Sequence, residues 1–437
     1  MERYINSFAT ENDIQIALQN GELLKPYVAY IEDADRIDWN SKTKIVDYAT
    51  EYLTFNILSY GTINWTANKT DGSKTIDYKL NDNEWVTITS NTSSSAPIIR
   101  VNSGDKLQFR GNNAQYSSGN IIFNMLYNSF GGSALFEAEG NIMSLIYGDD
   151  FKNNSTISSD YTFGYLFYNC TGLTSAENLI LPATKLRRNC YQNMFKDCTS
   201  LTTAPALPAT TLANYCYQYM FSNCTSLTTA PVLPATKLAS SCYQNMFDGC
   251  KSLTTAPVLP ANTLANSCYS YMFSNCTSLT TAPVLPATTL ADICYRQMFY
   301  GCTSLTTAPA LPATTLTNQC YLLMFNDCTS LTTAPALPAT TLADSCYNSM
   351  FSNCTSLTTA PELPATTLNI MCYDSMFQGC TSLNYIKCLA TDISASNCTR
   401  YWVDGVASTG TFVKNPNMSG WTTGNSGIPN GWTVQDA

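Results

Sequence analysis

The sequence predicts an α/β solenoid of about ten coils of 26 residues, preceded by a small all-β sandwich-like domain and a short N-terminal docking segment. Two observations carry this. The dipeptide Cys-Tyr begins at Cys190, Cys216, Cys242, Cys268, Cys294, Cys320, Cys346 and Cys372, each step 26 residues. Ahead of it, between 50 and 137, strand-length alternation is broken by turn residues about every 8–12 residues, the spacing of a small sandwich. The expected divisions are 1–48 for attachment, 49–138 for the sandwich, 139–403 for the solenoid and 404–437 for a C-terminal cap.

In the first segment, Thr10-Glu11-Asn12-Asp13 resembles a helix capping box, Gly21 can stop that helix, and Lys25 to Ile31 reads as a strand. The segment is too small for an independent core. Its apolar residues, Tyr4, Ile5, Phe8, Tyr27, Val28, Tyr30 and Ile31 among them, are the candidate attachment residues. Tyr4 to Thr10 and Lys25 to Val28 resemble the short leader of tail- and capsid-associated proteins of gut phages. That resemblance implies docking on a larger particle.

The sandwich is read from Leu53–Ile57, Ile63–Trp65, Thr75–Tyr78, Trp85–Ile88, Ile98–Val101 and Lys106–Phe109, joined by turns at Asp71-Gly72, Asn81-Asp82-Asn83 and Ser103-Gly104-Asp105. Asp71, Asp82 and Asp105 are read as turn chemistry in preference to calcium ligands. A further strand group at Asn141–Ile146 is expected to open the solenoid.

Each coil reads C-Y-x-x-M-F-x-x-C-T-S-L-T-T-A-P-x-L-P-A-T-T-L-A-x-x. Leu212, Cys216, Tyr217, Met220, Phe221 and Cys224 fall at i, i+4, i+5, i+8, i+9 and i+12, one face of a helix, with Asn223, Gly249 or Gly301 suited to its end. Thr225 to Pro234 is extended, with Leu227, Ala230 and Leu233 inward and a short parallel strand near Ser226–Thr229. Packed helices need about 8–10 Å and strands about 4.8 Å, so the strand side should be concave.

The string M-F-x-x-C-T-S-L-T-x-x-P-x-L-P resembles the BspA-like (Treponema pallidum-type) leucine-rich repeats, across roughly residues 140–403. Those repeats carry an A-F-x-x-C-x-x-L-x-x-I-x-I-P pattern. This chain departs in its 26-residue period, in Met for Ala and in the added Cys-Tyr. The resemblance implies an α/β leucine-rich-repeat solenoid, a surface protein of the kind found in gut Bacteroidales and their phages, with binding as its role and no shared catalytic residues.

The chain has 19 cysteines, most of them in two columns at C-x7-C spacing. That spacing is wrong for zinc, and two cysteines eight apart on a helix lie about 12 Å apart, beyond a disulfide. Buried free thiols, assembled in a reducing compartment, are the expectation. There are no histidines, which removes His-based nucleophile pairs and ligand sets, so no catalytic residue, cofactor or metal is assigned. A balance of 22 Lys+Arg against 31 Asp+Glu disfavours nucleic acid. No apolar run approaches a membrane span, and no signal peptide is evident at the start.

Three surface features remain. Asn-Cys-Thr at Asn169, Asn223, Asn275, Asn353 and Asn397 matches a glycosylation acceptor but reads as a by-product of the repeat. Trp421 and Trp432 read as a lid on the last coil in preference to a sugar platform. Tyr215, Tyr219, Tyr271, Ile293, Leu322, Leu323 and Ile370 are apolar at nominally outward positions and form the candidate binding surface. The expected function is a non-enzymatic adhesion protein. It would be a phage virion component, in tail or head fibre or decoration, holding the particle by its N-terminus and meeting a host-surface protein or glycan through the solenoid. The alternative is a bacterial surface adhesin.

Overall fold

The computed structural model describes residues 47–113, 116–119 and 125–437, with the backbone of 7–8 and 30–31. Ser7–Phe8 (β1) and Tyr30–Ile31 (β2) pair in parallel. Of the attachment candidates, Tyr4, Ile5, Tyr27 and Val28 lie outside the described residues, as does the helix expected after Thr10.

The next strands are Leu53–Ile57 (β3), Gly61–Ala67 (β4), Thr75–Leu80 (β5), Val86–Thr89 (β6), Ile98–Val101 (β7), Lys106–Arg110 (β8), Ser118–Gly119 (β9), Met125–Leu126 (β10), Asn128–Gly132 (β11) and Phe136–Asn141 (β12). β11, β4 and β7 form one antiparallel sheet. β12, β3, β8, β5 and β6 form a second, which Leu173–Ser175 (β13) and Leu179–Ile180 (β14) join by pairing in parallel with β12. The alternation that marks these strands in the sequence buries one face of each. Phe55 of β3 and Phe109 of β8 meet Phe130 of β11 at ring distances of 5.0 and 4.7 Å, so the two sheets face each other across an aromatic core. Trp65 lies in the same core and donates its indole N–H to the Tyr116 hydroxyl at 2.7 Å.

Asp105 is turn chemistry: its carboxylate accepts from the Asn102 backbone N–H at 2.7 Å and from the Asn81 amide at 2.9 Å. The strand expected at Asn141–Ile146 is corrected. The strand ends at Asn141, and Ser144–Tyr147 is a short α-helix (α1), the only one among the described residues. The Asn141 side chain accepts from the Met143 N–H, and Ser144 donates to the Phe109 carbonyl, so local side-chain bonds turn the chain here.

The larger correction concerns the repeat. Between Leu212 and Cys224 there is no helix, nor in the equivalent stretches; the backbone is a run of turns. Tyr215, Tyr219 and Asn223 have φ of 63°, 57° and 59°, a left-handed residue every fourth position, and later coils repeat this. Backbone N–H groups alternate in their use. Those of Cys216, Gln218, Met220, Ser222 and Cys224 bond three residues back within the coil. Those of Tyr215, Tyr217, Tyr219, Phe221 and Asn223 donate to Ser240, Cys242, Gln244, Met246 and Asp248 in the next coil. A turn repeated every four residues puts i, i+4 and i+8 on one side, as a helix does, and apolar spacing alone cannot separate the two.

The bonds between coils hold this side at a spacing close to that of strands. Phe195, Phe221, Phe247, Phe273, Phe299, Phe325, Phe351 and Phe377 stack at 5.3–5.8 Å with planes within 9°. The Tyr column from Tyr191 to Tyr373 stacks at 5.8–6.1 Å. The premise for a concave strand side, a helix layer needing wider spacing, is therefore absent. The extended side is also leaner than expected. In place of a short strand per coil there are single parallel bridges, such as Thr203 to Thr229 and Thr211 to Lys237. The proline column beside them lacks the donors a ladder needs.

Met194, Phe195, Leu201 and their equivalents have no solvent exposure, nor do Met220 and Phe273. Both ends of the ring columns are covered. Phe167 continues the Phe column to 5.9 Å from Phe55 and Phe130. At the far end Trp402 takes both columns, 6.2 Å from Tyr373 and 6.3 Å from Phe377, and Trp421 stacks on it at 5.5 Å. Tyr385–Cys388 (β15), Thr411–Lys414 (β16) and Thr433–Asp436 (β17) close this end as a parallel sheet. Trp432 donates to the Ala407 carbonyl at 2.7 Å. Both tryptophans thus pack on the last coil.

Candidate binding surface

All 19 cysteines are free and buried. The second column has a chemical task. The thiols of Cys198, Cys224, Cys250, Cys276, Cys302, Cys328, Cys354 and Cys380 each donate to the carbonyl of the Phe in the preceding coil, at 2.9–3.1 Å. Burial pushes these thiols up, Cys328 and Cys380 to about 12, which keeps them protonated and able to donate. Among the described residues no cluster of three or more His, Cys, Asp or Glu is placed to hold a metal ion. No helix there is long and apolar enough to cross a membrane.

The residue before that Cys is left-handed in every coil, which explains most of the Asn-Cys-Thr strings: Asn169, Asn223, Asn275 and Asn353 have φ of 55–60°, and Asn397, before a Cys of the first column, has 55°. Asn tolerates that region better than other side chains. The column also interlocks. Asn223 and Asn353 donate to Asp197 and Asp327 at 2.8 Å on one side. On the other, a Cβ at Gly249 or Gly379 would meet their Oδ1 at 2.3 and 2.2 Å.

The turn ladder presents the variable positions. Tyr215, Tyr219, Tyr271, Ile293, Leu322 and Leu323 are half-buried, and Ile370 is exposed. Tyr219 and Tyr271 occupy one column two coils apart, close enough for their phenols to interact. Tyr215 and Tyr219 lie early in the stack, beneath Arg188 and Lys196 at 5.8 and 5.0 Å. Ile370 lies alone near the end. Tyr271, Ile293, Leu322 and Leu323 fall in consecutive coils and gather around Arg296, which the apolar pattern did not single out. The Tyr271 N–H donates to the Arg296 carbonyl at 2.8 Å, and the Arg296 guanidinium lies 5.7 Å over the Tyr271 ring. Arg296 N–H donates to Ile293, and Gln297 N–H to Leu322. Tyr300 stands beside them, its phenol pushed up by a hydrogen bond to Asp327.

Elsewhere this column satisfies itself. Gln192 donates to Gln218 at 2.5 Å, Gln218 to Gln244 at 2.6 Å, and Arg400 pairs with the buried Asp374 at 2.6 Å. A second feature lies on the extended side. Val232, Val258 and Val284, between the Pro and Leu of three successive coils, are 61%, 75% and 77% exposed. They form an apolar row between the Thr columns.

A regular stack of coils, with outward positions free to vary and inward ones fixed, defines a repeat protein built to present surfaces. The BspA type leucine rich repeat region matches this chain in six copies, over 150–280, 237–347 and 323–397, together more than half its length. The chain belongs to that family. No curated protein and no solved structure matches it.

Proposed function

We propose that this is a non-enzymatic adhesion protein whose repeat stack is displayed outward to bind a host-surface protein or glycan. Membership of the BspA-type repeats, a family of surface binding modules, is the observation that carries the reading. The grouping of Tyr271, Ile293, Arg296, Leu322 and Leu323 on successive coils supports it, because Tyr and Arg with aliphatic neighbours are what binding hot spots use. The adhesion reading is tested by binding the full chain to candidate host cells. Saturable binding is expected, and its absence on every cell type tried would end it.

Within that role, we propose a phage virion component, attached through the N-terminal segment that holds Phe8, Tyr30 and Ile31. Nineteen buried free thiols favour it, because they fit assembly in a reducing cytoplasm better than passage through an oxidising compartment. The family match favours the second reading, a bacterial surface adhesin. Antibody labelling decides between them. Label on purified particles supports the first, and label confined to bacterial surfaces supports the second.

A further inference from the structure

We infer that the turn-ladder face around Arg296 is a docking site for a protein segment that presents a carboxylate flanked by apolar side chains. This deepens the adhesion reading and rests on it.

Arg296 Nε is buried and has no hydrogen-bond partner, and no ion pair reaches its guanidinium among the described residues. Its column shows what a satisfied arginine looks like. Arg400 has Asp374 one coil back and bonds it through two nitrogens, at 3.1 and 2.6 Å. Arg296 has Ser270 one coil back and Leu322 one coil on, and neither can accept its charge.

The acids of this face are committed elsewhere. Asp248 is bonded by Asn245, Asp292 accepts from the Asn318 N–H, and Asp327 holds Asn353 and Tyr300. A partly desolvated guanidinium that has the Tyr271 ring beside it but no anion is costly, and a bidentate carboxylate is the group that matches its fork.

The surroundings indicate what carries the carboxylate. Ile293 has a φ of 62°, a region that a β-branched residue strongly avoids. Other coils place Asn189, Tyr215, Ser241, Ser267, Gln319, Ser345 or Met371 there, none of them β-branched. An aliphatic side chain held at such a cost is a pointer to function. Leu322 and Leu323 stand where other coils carry Gln218 and Tyr219 or Asn348 and Ser349. Aliphatic groups beside the arginine require an apolar complement. A peptide segment with Leu, Ile or Phe next to Asp or Glu supplies both, and an acidic sugar supplies only the charge.

The test is a random-peptide display selection on the full chain, followed by affinity measurement of the selected peptides as synthetic molecules. The variants are R296Q and R296L, residues that the same column already accommodates at Gln218 and Leu322; unchanged urea midpoints confirm that they fold. Selected peptides should carry Asp or Glu beside aliphatic or aromatic residues. They should lose at least tenfold in affinity for either variant, and as much when their acid is changed to its amide. Selection without acid enrichment, or equal binding by R296Q, overturns the inference. So does Arg296-dependent binding of N-acetylneuraminic acid or oligogalacturonate when no peptide binds. If R296Q adheres to host cells as well as the unaltered chain, adhesion stands and this site falls. If the unaltered chain fails to adhere while peptides bind at Arg296, the adhesion reading falls and the site stands.

Discussion

The thiol of Cys276 donates to the carbonyl oxygen of Phe247, one coil earlier, at 3.1 Å. That oxygen also accepts the N–H of Cys250 in its own coil at 3.0 Å. The Phe carbonyl therefore has both lone pairs filled, and the thiol adds a bond between coils that the alternating backbone ladder does not supply there. Leucine-rich coils are usually described by their apolar columns; here a column of weak donors works inside the core.

The first prediction follows from that bond. C276S keeps a donor of similar size and should be the mildest substitution. C276V removes the donor and adds bulk to a closed site, and should cost about 1–3 kcal/mol. Urea midpoints of the two variants check the order. A valine variant as stable as the serine variant would mean that the thiol acts only as filler.

Alkaline pH should dissolve the stack. The Cys thiols have an ordinary value of 9.0, and burial raises them, in Cys170, Cys320 and Cys388 to about 12. A raised folded value means that the folded chain holds its protons more tightly than the unfolded chain. The associated stability is complete below pH 9 and is lost as pH climbs from 9 toward 12. The urea midpoint should be level from pH 7 to 8.5 and fall steeply above 9. A level profile to pH 10.5 would contradict the burial of the thiols, as would rapid thiol labelling of the native protein at neutral pH.

Gly249 and Asn223 should be energetically coupled. At Gly249 φ is +73° and a Cβ would lie 2.3 Å from Asn223 Oδ1. G249A should destabilise by about 1–2 kcal/mol through strain and contact. N223G removes the contact and should recover part of that loss in the double variant, leaving the backbone term. A double-mutant cycle with no interaction energy would show that the two side-chain positions do not meet.

The 26-residue period, the identity of the buried columns and the strands at Leu53–Ile57 and Ile98–Val101 were legible because each is a local pattern written many times or bounded by clear turns. The residue before the second Cys was read as a helix end; it is instead one left-handed residue in a run of turns, a conformation that Asn, Asp and Gly tolerate. The helix was misread. Its i, i+4 spacing is common to a helix and to a turn repeated every four residues.

The sequence determined which side chains lie inside, because burial follows from composition and period. The tertiary structure decided what the backbone does between them. Tyr219 N–H bonds to Gln244 in the next coil, a partner 25 residues away that no local propensity can reveal. The same holds for Arg296. Its residue type is plain in the sequence, but its lack of a partner is a property of neighbouring coils, and only stacking brings Ser270 and Leu322 beside it where Asp374 stands beside Arg400.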